Sequence, residues 1–421
     1  MRSRILIGAI LFTLTAMVSI LAIYGAGNGG KQAKESAGEN LWTEEEWEKA
    51  RLFSPLRPPP PDPTNALSAN EGAARLGHQL FFDIRLSPQA VACATCHEPE
   101  RGFTDGLPVA NTLAPLHRNT MPILNVGHFR WLTWDGSRDS LWNQAMGPIE
   151  SPEEMGSSRL FVVKAAMRHY GRELGQFIKF PKGWMALWPD LPESGKPGDP
   201  AFDTLSPAQK DAVNQVFSST LKVIAAYEMR VVSEEAPFDQ FVAGDHIALS
   251  LSAQRGFQHF LRMGCDICHN TPLFSDDEFH NVGLPLVPRA DLGRAEGLER
   301  LKKSLFRGTG PYADGPPVVR AEDYQGGVAL VGTFRTPSLR ELKLTAPYGH
   351  NGSVATLEEA IDHYIRITSS HEAGAPIGTL DPALPRIEMT PEEKKELIEF
   401  LLSLSSDYDS VWTREPVGLD E

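Results

Sequence analysis

Positive charge is in short supply in this 421-residue chain: 40 lysines and arginines stand against 54 aspartates and glutamates, a net charge of −14. Such a surface repels phosphate backbones, so no nucleic acid is expected as a partner, whereas a basic protein face remains a suitable one. Cysteine is scarcer still, with four residues. Charge is missing altogether from Ile5 to Tyr24, an apolar run that follows the basic start Met1-Arg2-Ser3-Arg4 and precedes the polar, glycine-rich stretch Gly25 to Lys31. The run is ~20 residues, long enough to span a bilayer and longer than the usual core of a signal peptide. Residues 1–24 are therefore expected to be a signal peptide or a retained membrane anchor, with the rest of the chain outside the cytoplasm. Basic residues ahead of the run and none within it favour an inward-facing N-terminus.

Residues 25–65 are charged or proline-rich, with Pro58-Pro59-Pro60-Pro61-Asp62-Pro63 at the extreme, and are read as an extended linker. The remaining ~350 residues exceed the usual size of one domain and suit two.

All four cysteines fall in two copies of one pentapeptide, Cys93-Ala94-Thr95-Cys96-His97 and Cys265-Asp266-Ile267-Cys268-His269. This is the attachment pattern of c-type heme: two thiols three positions apart each form a thioether to a vinyl group, and the next residue offers an imidazole to the iron. Two covalently bound hemes are expected, with His97 and His269 as proximal ligands. A zinc site built from four thiolates also uses paired cysteines. It leaves the histidine after each pair unexplained, as does a structural disulfide pair or a redox dithiol.

Each motif follows a short amphipathic helical pattern, Asn70 to Phe82 and Ser252 to Phe260, and each is followed by an aromatic and an aspartate, Phe103 and Asp105 against Phe274 and Asp276. The chain reads as two diverged heme domains, 66–246 and 247–411, with a tail at 412–421. Further helices are expected at Leu160 to Tyr170, Ser206 to Val231 and Thr390 to Leu404, where Thr390-Pro391-Glu392-Glu393 supplies an N-cap, an N1 proline and first-turn acids. Stretches 105–135 and 281–356 are rich in glycine and proline and read as loops wrapped around a planar cofactor. His78, His128, His169, His246, His259, His280 and His371 are read as surface or core residues.

Taken together, Leu76-Gly77 through Asp83, the first heme motif, Gly102 to Gly106, Arg118-Asn119-Thr120, Trp134-Asp135-Gly136, Gln144 through Pro148, Glu154-Met155 and Thr345 to Gly352 resemble the bacterial diheme cytochrome c peroxidase superfamily. The resemblance runs from about residue 66 to the C-terminal helix. It implies an all-α pair of cytochrome c-like domains with long loops, a calcium ion between the hemes, hydrogen peroxide as oxidant and a periplasmic location. By the same resemblance Glu154 matches the carboxylate on the open face of the peroxide-binding heme, Gln144 its amide partner and Trp134 the tryptophan between the hemes. Asn119, Thr345 and Pro347 match the calcium ligands, the last two through main-chain oxygens.

The position eight residues after Thr356 holds Tyr364, where cytochrome c peroxidases carry a methionine ligand to the second iron. Tyrosine there resembles the MauG-like branch, which oxidises tryptophan side chains of a partner protein. Met263, Met389 and His363 are the competing ligands. His117, directly after a segment with no glycine from Leu107 to Leu116, is read as a loop residue that leaves the first iron open. Three functions follow: an oxidase acting on an exported protein's tryptophan, a peroxidase drawing electrons from a small periplasmic donor, and a diheme electron carrier.

Overall fold

The computed structural model describes residues 41–286, 290–319, 326–369 and 376–417. The segment expected to be a signal or anchor, residues 25–40 of the linker and the last four residues of the tail lie outside them. Among the described residues no helix is long and apolar enough to cross a membrane. The described residues fold as one unit. It is mostly helical, 43% by residue, and among the described residues its strands form one short antiparallel pair in which Phe279 lies opposite Arg335 and His280 opposite Phe334.

The helix ahead of each heme motif is built the same way. Asn70 starts the first by accepting from the amide of Ala73 at 2.9 Å, and Ser250 starts the second by accepting from the amide of Ala253 at 3.1 Å. Their ranges are Glu71–Phe82 and Leu251–Arg262. Each presses a glycine against the backbone of a partner helix. A Cβ on Gly77 would collide with the carbonyl of Val223, in helix Pro207–Glu228, and one on Gly256 with the carbonyl of Glu396, in helix Pro391–Leu402. Only glycine permits that approach. The longer helices start where the sequence places them: Ser206 and Thr390 both form capping boxes with a proline at N1, and Ser158 caps Arg159–Phe177.

Two apolar cores result. The first gathers Leu80, Phe81, Phe103, Trp142, Leu160, Phe217 and Tyr227, and the second Phe238, Phe257, Phe260, Phe274 and Phe400. Neither is a contiguous stretch of chain. Phe306 joins the first core, while Phe238 and Phe241, ahead of the expected boundary at 246/247, join the second. Residues 41–53, read as linker, differ more sharply. Thr43 makes a capping box with Glu46 and starts helix Glu44–Phe53, which buries Ala50 and Phe53 in the second core beside Trp42. The helix is masked in sequence by its acidic first turn and the prolines behind it, because its burial depends on partners some two hundred residues away: the Trp42 indole donates to the carbonyl of Gln254 at 3.0 Å.

Candidate functional site

Each Cys-x-x-Cys pair forms a single tight turn, Cys93–Thr95 and Cys265–Ile267. The turn is closed by the His97 amide donating to the Cys93 carbonyl at 3.1 Å and the His269 amide donating to the Cys265 carbonyl at 3.0 Å. Thiols and imidazole are thus fixed around one turn. The imidazoles are then oriented identically: Nδ1 of His97 donates to the carbonyl of Phe103 at 3.0 Å and Nδ1 of His269 to that of Phe274 at 2.6 Å. Both phenylalanines are fully buried and adopt left-handed backbone, φ 61° and 52°, a conformation costly for a bulky residue. With Nδ1 engaged, Nε2 is the nitrogen left to bind a metal. Burial lowers the pKa of both histidines, with smaller opposing effects from these carbonyl bonds and from Asp105 and Asp276, so the neutral, ligating form is favoured.

No disulfide links the cysteines, and burial raises the pKa of the Cys93, Cys96 and Cys265 thiols. The four thiols do not converge as a zinc site requires. Among the described residues the one convergent group of metal-type side chains is Cys268, Asp276 and His280, and there His280 is held by Asp276 at 2.9 Å and Asp381 at 2.6 Å.

The second motif opens onto a cavity of about 280 Å³. Cys265, Cys268 and His269 line it together with Tyr364, and its wall continues to Trp134, Asn119, Thr345 and Pro347. Residues spread over nearly 250 positions of sequence thus meet at one place. Tyr364 comes from helix Leu357–Ser369; burial, then the neighbouring Cys265 and Cys268, raise its hydroxyl pKa. Of the competing ligands, His363 has both nitrogens engaged, by the Val282 carbonyl at 2.7 Å and Arg366 at 2.9 Å. Met389 packs against the second core, and Met263 lines the cavity.

Trp134 is buried, its indole donating to the carbonyl of Asn119 at 2.9 Å. The Asn119 amide nitrogen in turn donates to Leu107 at 2.8 Å, which directs its oxygen the other way. Arg118 braces the same region, reaching Asp135 at 2.6 Å and Asp291 at 2.8 Å, and His117 lies 3.6 Å from Asp291.

One residue of this wall was not legible in the sequence. Arg335 is buried beside the cavity, stacked on Phe129 at 3.8 Å, and among the described residues its Nε and Nη1 lack hydrogen-bond partners; Asp277 is 3.6 Å from Nη1. A buried guanidinium with open donors calls for an anion. The carboxylates of a porphyrin supply one, so the residues present fit the heme that the motif implies.

At the first motif, the Cys96 sulfur lies 2.8 Å from the Thr112 hydroxyl, and Glu154 is close enough to act electrostatically on Cys96. Glu154 follows helix Leu141–Glu150, which carries Gln144 half-buried. The intervening turn is fixed by the Met155 amide donating to Pro148 at 3.1 Å and the Gly156 amide donating to Ser151 at 2.9 Å. Burial raises the Glu154 pKa, partly offset by a Ser151 hydrogen bond and by Arg138, with Glu153 adding to the rise. Arg138 has a buried Nε without a hydrogen-bond partner among the described residues; it is a second residue that no sequence pattern singled out. The 107–116 loop is tied down, with the amides of Leu113 and Ala114 donating to Glu153 at 3.0 and 3.2 Å.

Two covalent heme sites in a mostly helical frame define a diheme c-type cytochrome. Residues 71–247 match the family model described as di-haem cytochrome c peroxidase. The chain is 34% identical over 363 residues to the methylamine utilization protein MauG of Methylorubrum extorquens, covering 85% of this chain and 84% of that one. It is also 34% identical over 369 residues to the cytochrome-c peroxidase IdrP1 of Denitromonas iodatirespirans, covering 84% and 87%. Among solved structures, a MauG-like protein associated with microbial copper homeostasis superposes with a TM-score of 0.57 at 25% identity, over 86% of this chain and 96% of that one. The chain belongs to the diheme cytochrome c peroxidase family and is a heme-dependent oxidoreductase of the peroxidase type. That places it among enzymes, so the electron-carrier reading is set aside.

Proposed function

We propose that this enzyme is a MauG-like diheme oxidase that uses hydrogen peroxide to oxidise a tryptophan side chain on an exported protein, working from the periplasm. The observation that carries the reading is Tyr364 facing the cavity of His269, with Trp134 in the same wall. When bound, the two hemes would supply the redox chemistry, the reduction of peroxide and the storage of its oxidising equivalents.

The chain's part is to place protons and to exclude water. Glu154 takes the proton from the peroxide oxygen nearest the first site and returns it to the outer oxygen, which then leaves as water. A carboxyl with a raised pKa is suited to both steps near neutral pH. Gln144 steadies the peroxide by hydrogen bonding, and His97 and His269 would hold the irons through Nε2, since Nδ1 of each is engaged by a carbonyl. Tyr364 would offer its phenolic oxygen to the second iron, and as a phenolate it would favour oxidised iron more than a thioether does. Trp134 bridges the two sites. Asn119, with the carbonyls of Thr345 and Pro347, forms an all-oxygen set suited to calcium, a hard cation, and that ion would fix the relation of the two sites. The N-terminal apolar run exports the chain, either tethered or after cleavage.

The second reading is a cytochrome c peroxidase that reduces hydrogen peroxide with electrons from a small periplasmic donor. A relative bearing that name is as similar in sequence as the MauG relative. Incubation of the holoenzyme and peroxide with candidate exported proteins, followed by peptide mass spectrometry, separates the two. Tryptophan oxidation in a partner, abolished by Tyr364→Met, is the expected result. Rapid peroxide-dependent oxidation of reduced cytochrome c with no partner modified establishes the second reading instead.

A further inference from the structure

A line of aromatic rings leads from the first heme motif to the molecular surface. It begins at His97, whose ring centroid lies 6.3 Å from that of Phe81; Phe81 is 5.1 Å from Tyr227, and Tyr227 is 6.5 Å from Trp412. His78 fills the bend, stacked on Tyr227 at 4.6 Å with planes 15° apart and 6.0 Å from Trp412. Phe81 and Tyr227 are fully buried, whereas Trp412 is half-buried and lines a surface cleft with Arg75, His78, Gln79 and Arg414.

The line is held rigidly at its outer end. The Tyr227 hydroxyl donates to the carbonyl of Trp412 at 2.9 Å, and His78 Nε2 donates to the carbonyl of Arg414 at 2.7 Å. Arg75 lies over the indole at 5.5 Å. Trp412 packs against the first core yet stays partly exposed. The tail thus places an easily oxidised indole in contact with solvent, with an easily oxidised phenol, Tyr227, between it and the ring that would bind the first iron.

We propose that Trp412 is a surface redox residue that delivers electrons through Tyr227 to the first heme site when peroxide is the oxidant. The proposal rests on the first site reacting with peroxide, and adds an exit for oxidising power that does not pass through Trp134. Trp412 loses a first electron inward as its indole N–H proton passes to water in the cleft, and then a second electron. These two electrons, together with two protons, reduce one hydrogen peroxide to two waters. When no other donor is present, water adds to the oxidised indole: a carbon–hydrogen bond breaks, a carbon–oxygen bond forms, and the sum is Trp412 plus peroxide giving hydroxylated Trp412 plus water.

The test treats the holoenzyme alone with hydrogen peroxide, follows the heme spectrum to verify reaction, and maps all eight tryptophans by peptide mass spectrometry. The expected result is a gain of one oxygen mass concentrated on Trp412, accompanied by a tryptophan radical signal in electron paramagnetic resonance. Trp412→Phe should remove that radical signal. Tyr227→Phe, which keeps the buried ring, should suppress the Trp412 modification while the indole remains in place. A heme spectrum that responds to peroxide while Trp412 stays unmodified, or equal Trp412 modification in Tyr227→Phe, overturns the relay. A heme spectrum that does not respond to peroxide fails the proposed function itself.

Discussion

Phe103 and Phe274 hold equivalent places in the two halves of the molecule: each is fully buried, each has left-handed backbone, and each receives on its carbonyl the Nδ1 hydrogen of its own heme-motif histidine. The strained conformation aims the carbonyl at the ring, and the buried side chain holds the backbone there. Aromatic packing and metal ligation are thereby coupled through one residue.

Phe274 stacks on Phe53 at 4.8 Å and meets Phe238, Phe260 and Phe400. Phe274→Ala is expected to destabilise the protein by about 3–5 kcal/mol, the usual cost of emptying such a site. Calorimetric unfolding of the holoprotein checks the loss, and resonance Raman of the iron–histidine mode checks that His269 loosens with it.

Glu154→Gln should leave both hemes attached while slowing the peroxide reaction by roughly 10²–10⁴-fold, the worth of a positioned proton shuttle. Because burial raises the Glu154 pKa, the parent rate should fall as pH drops through that raised value, where the carboxylate that accepts the peroxide proton is lost. Stopped-flow rates against pH should show this acid limb in the parent and not in the variant.

Arg335 is expected to hold a heme carboxylate. Removing its charge in Arg335→Met should lower the reduction potential of the second heme, since a nearby cation favours the reduced, less positive centre, and Arg335→Lys should recover part of the shift. Spectroelectrochemical titration measures both. Equal potentials in all three proteins would assign Arg335 to packing alone.

Asn119→Ala should abolish binding of one calcium ion per chain, read by elemental analysis of the dialysed protein. Chelation of the parent should reproduce its effect on the electronic spectrum, because the same ion would be lost.

Glu228 is buried near Cys93, and among the described residues its Oε2 has no hydrogen-bond partner; burial pushes its pKa up to about 8. The folded protein therefore holds a proton that the unfolded chain releases near the ordinary value of 4.5. Stability should fall as pH rises between those values, because the unfolded state binds fewer protons there. Glu228→Gln should consequently raise stability more at pH values above about 8 than at acid pH, by an amount on the order of a few kcal/mol, measured as thermal unfolding across a pH series.

Sequence alone determined what is local. The spacing of Cys93, Cys96 and His97, repeated at Cys265, Cys268 and His269, fixes a covalent chemistry within five residues, and the helix starts at Ser206 and Thr390 follow from caps and prolines that act over one turn. Tertiary structure decided what depends on distant partners. The Glu44–Phe53 helix, hidden among charges and prolines, exists against a core formed two hundred residues later. Arg335 acquires meaning only as a buried charge with open donors, and Trp412, read as part of a tail, only as the outer end of a line of rings. No spacing along the chain encodes such contacts, because they arise where helices separated in sequence pack their apolar faces together and leave particular polar and aromatic groups between them.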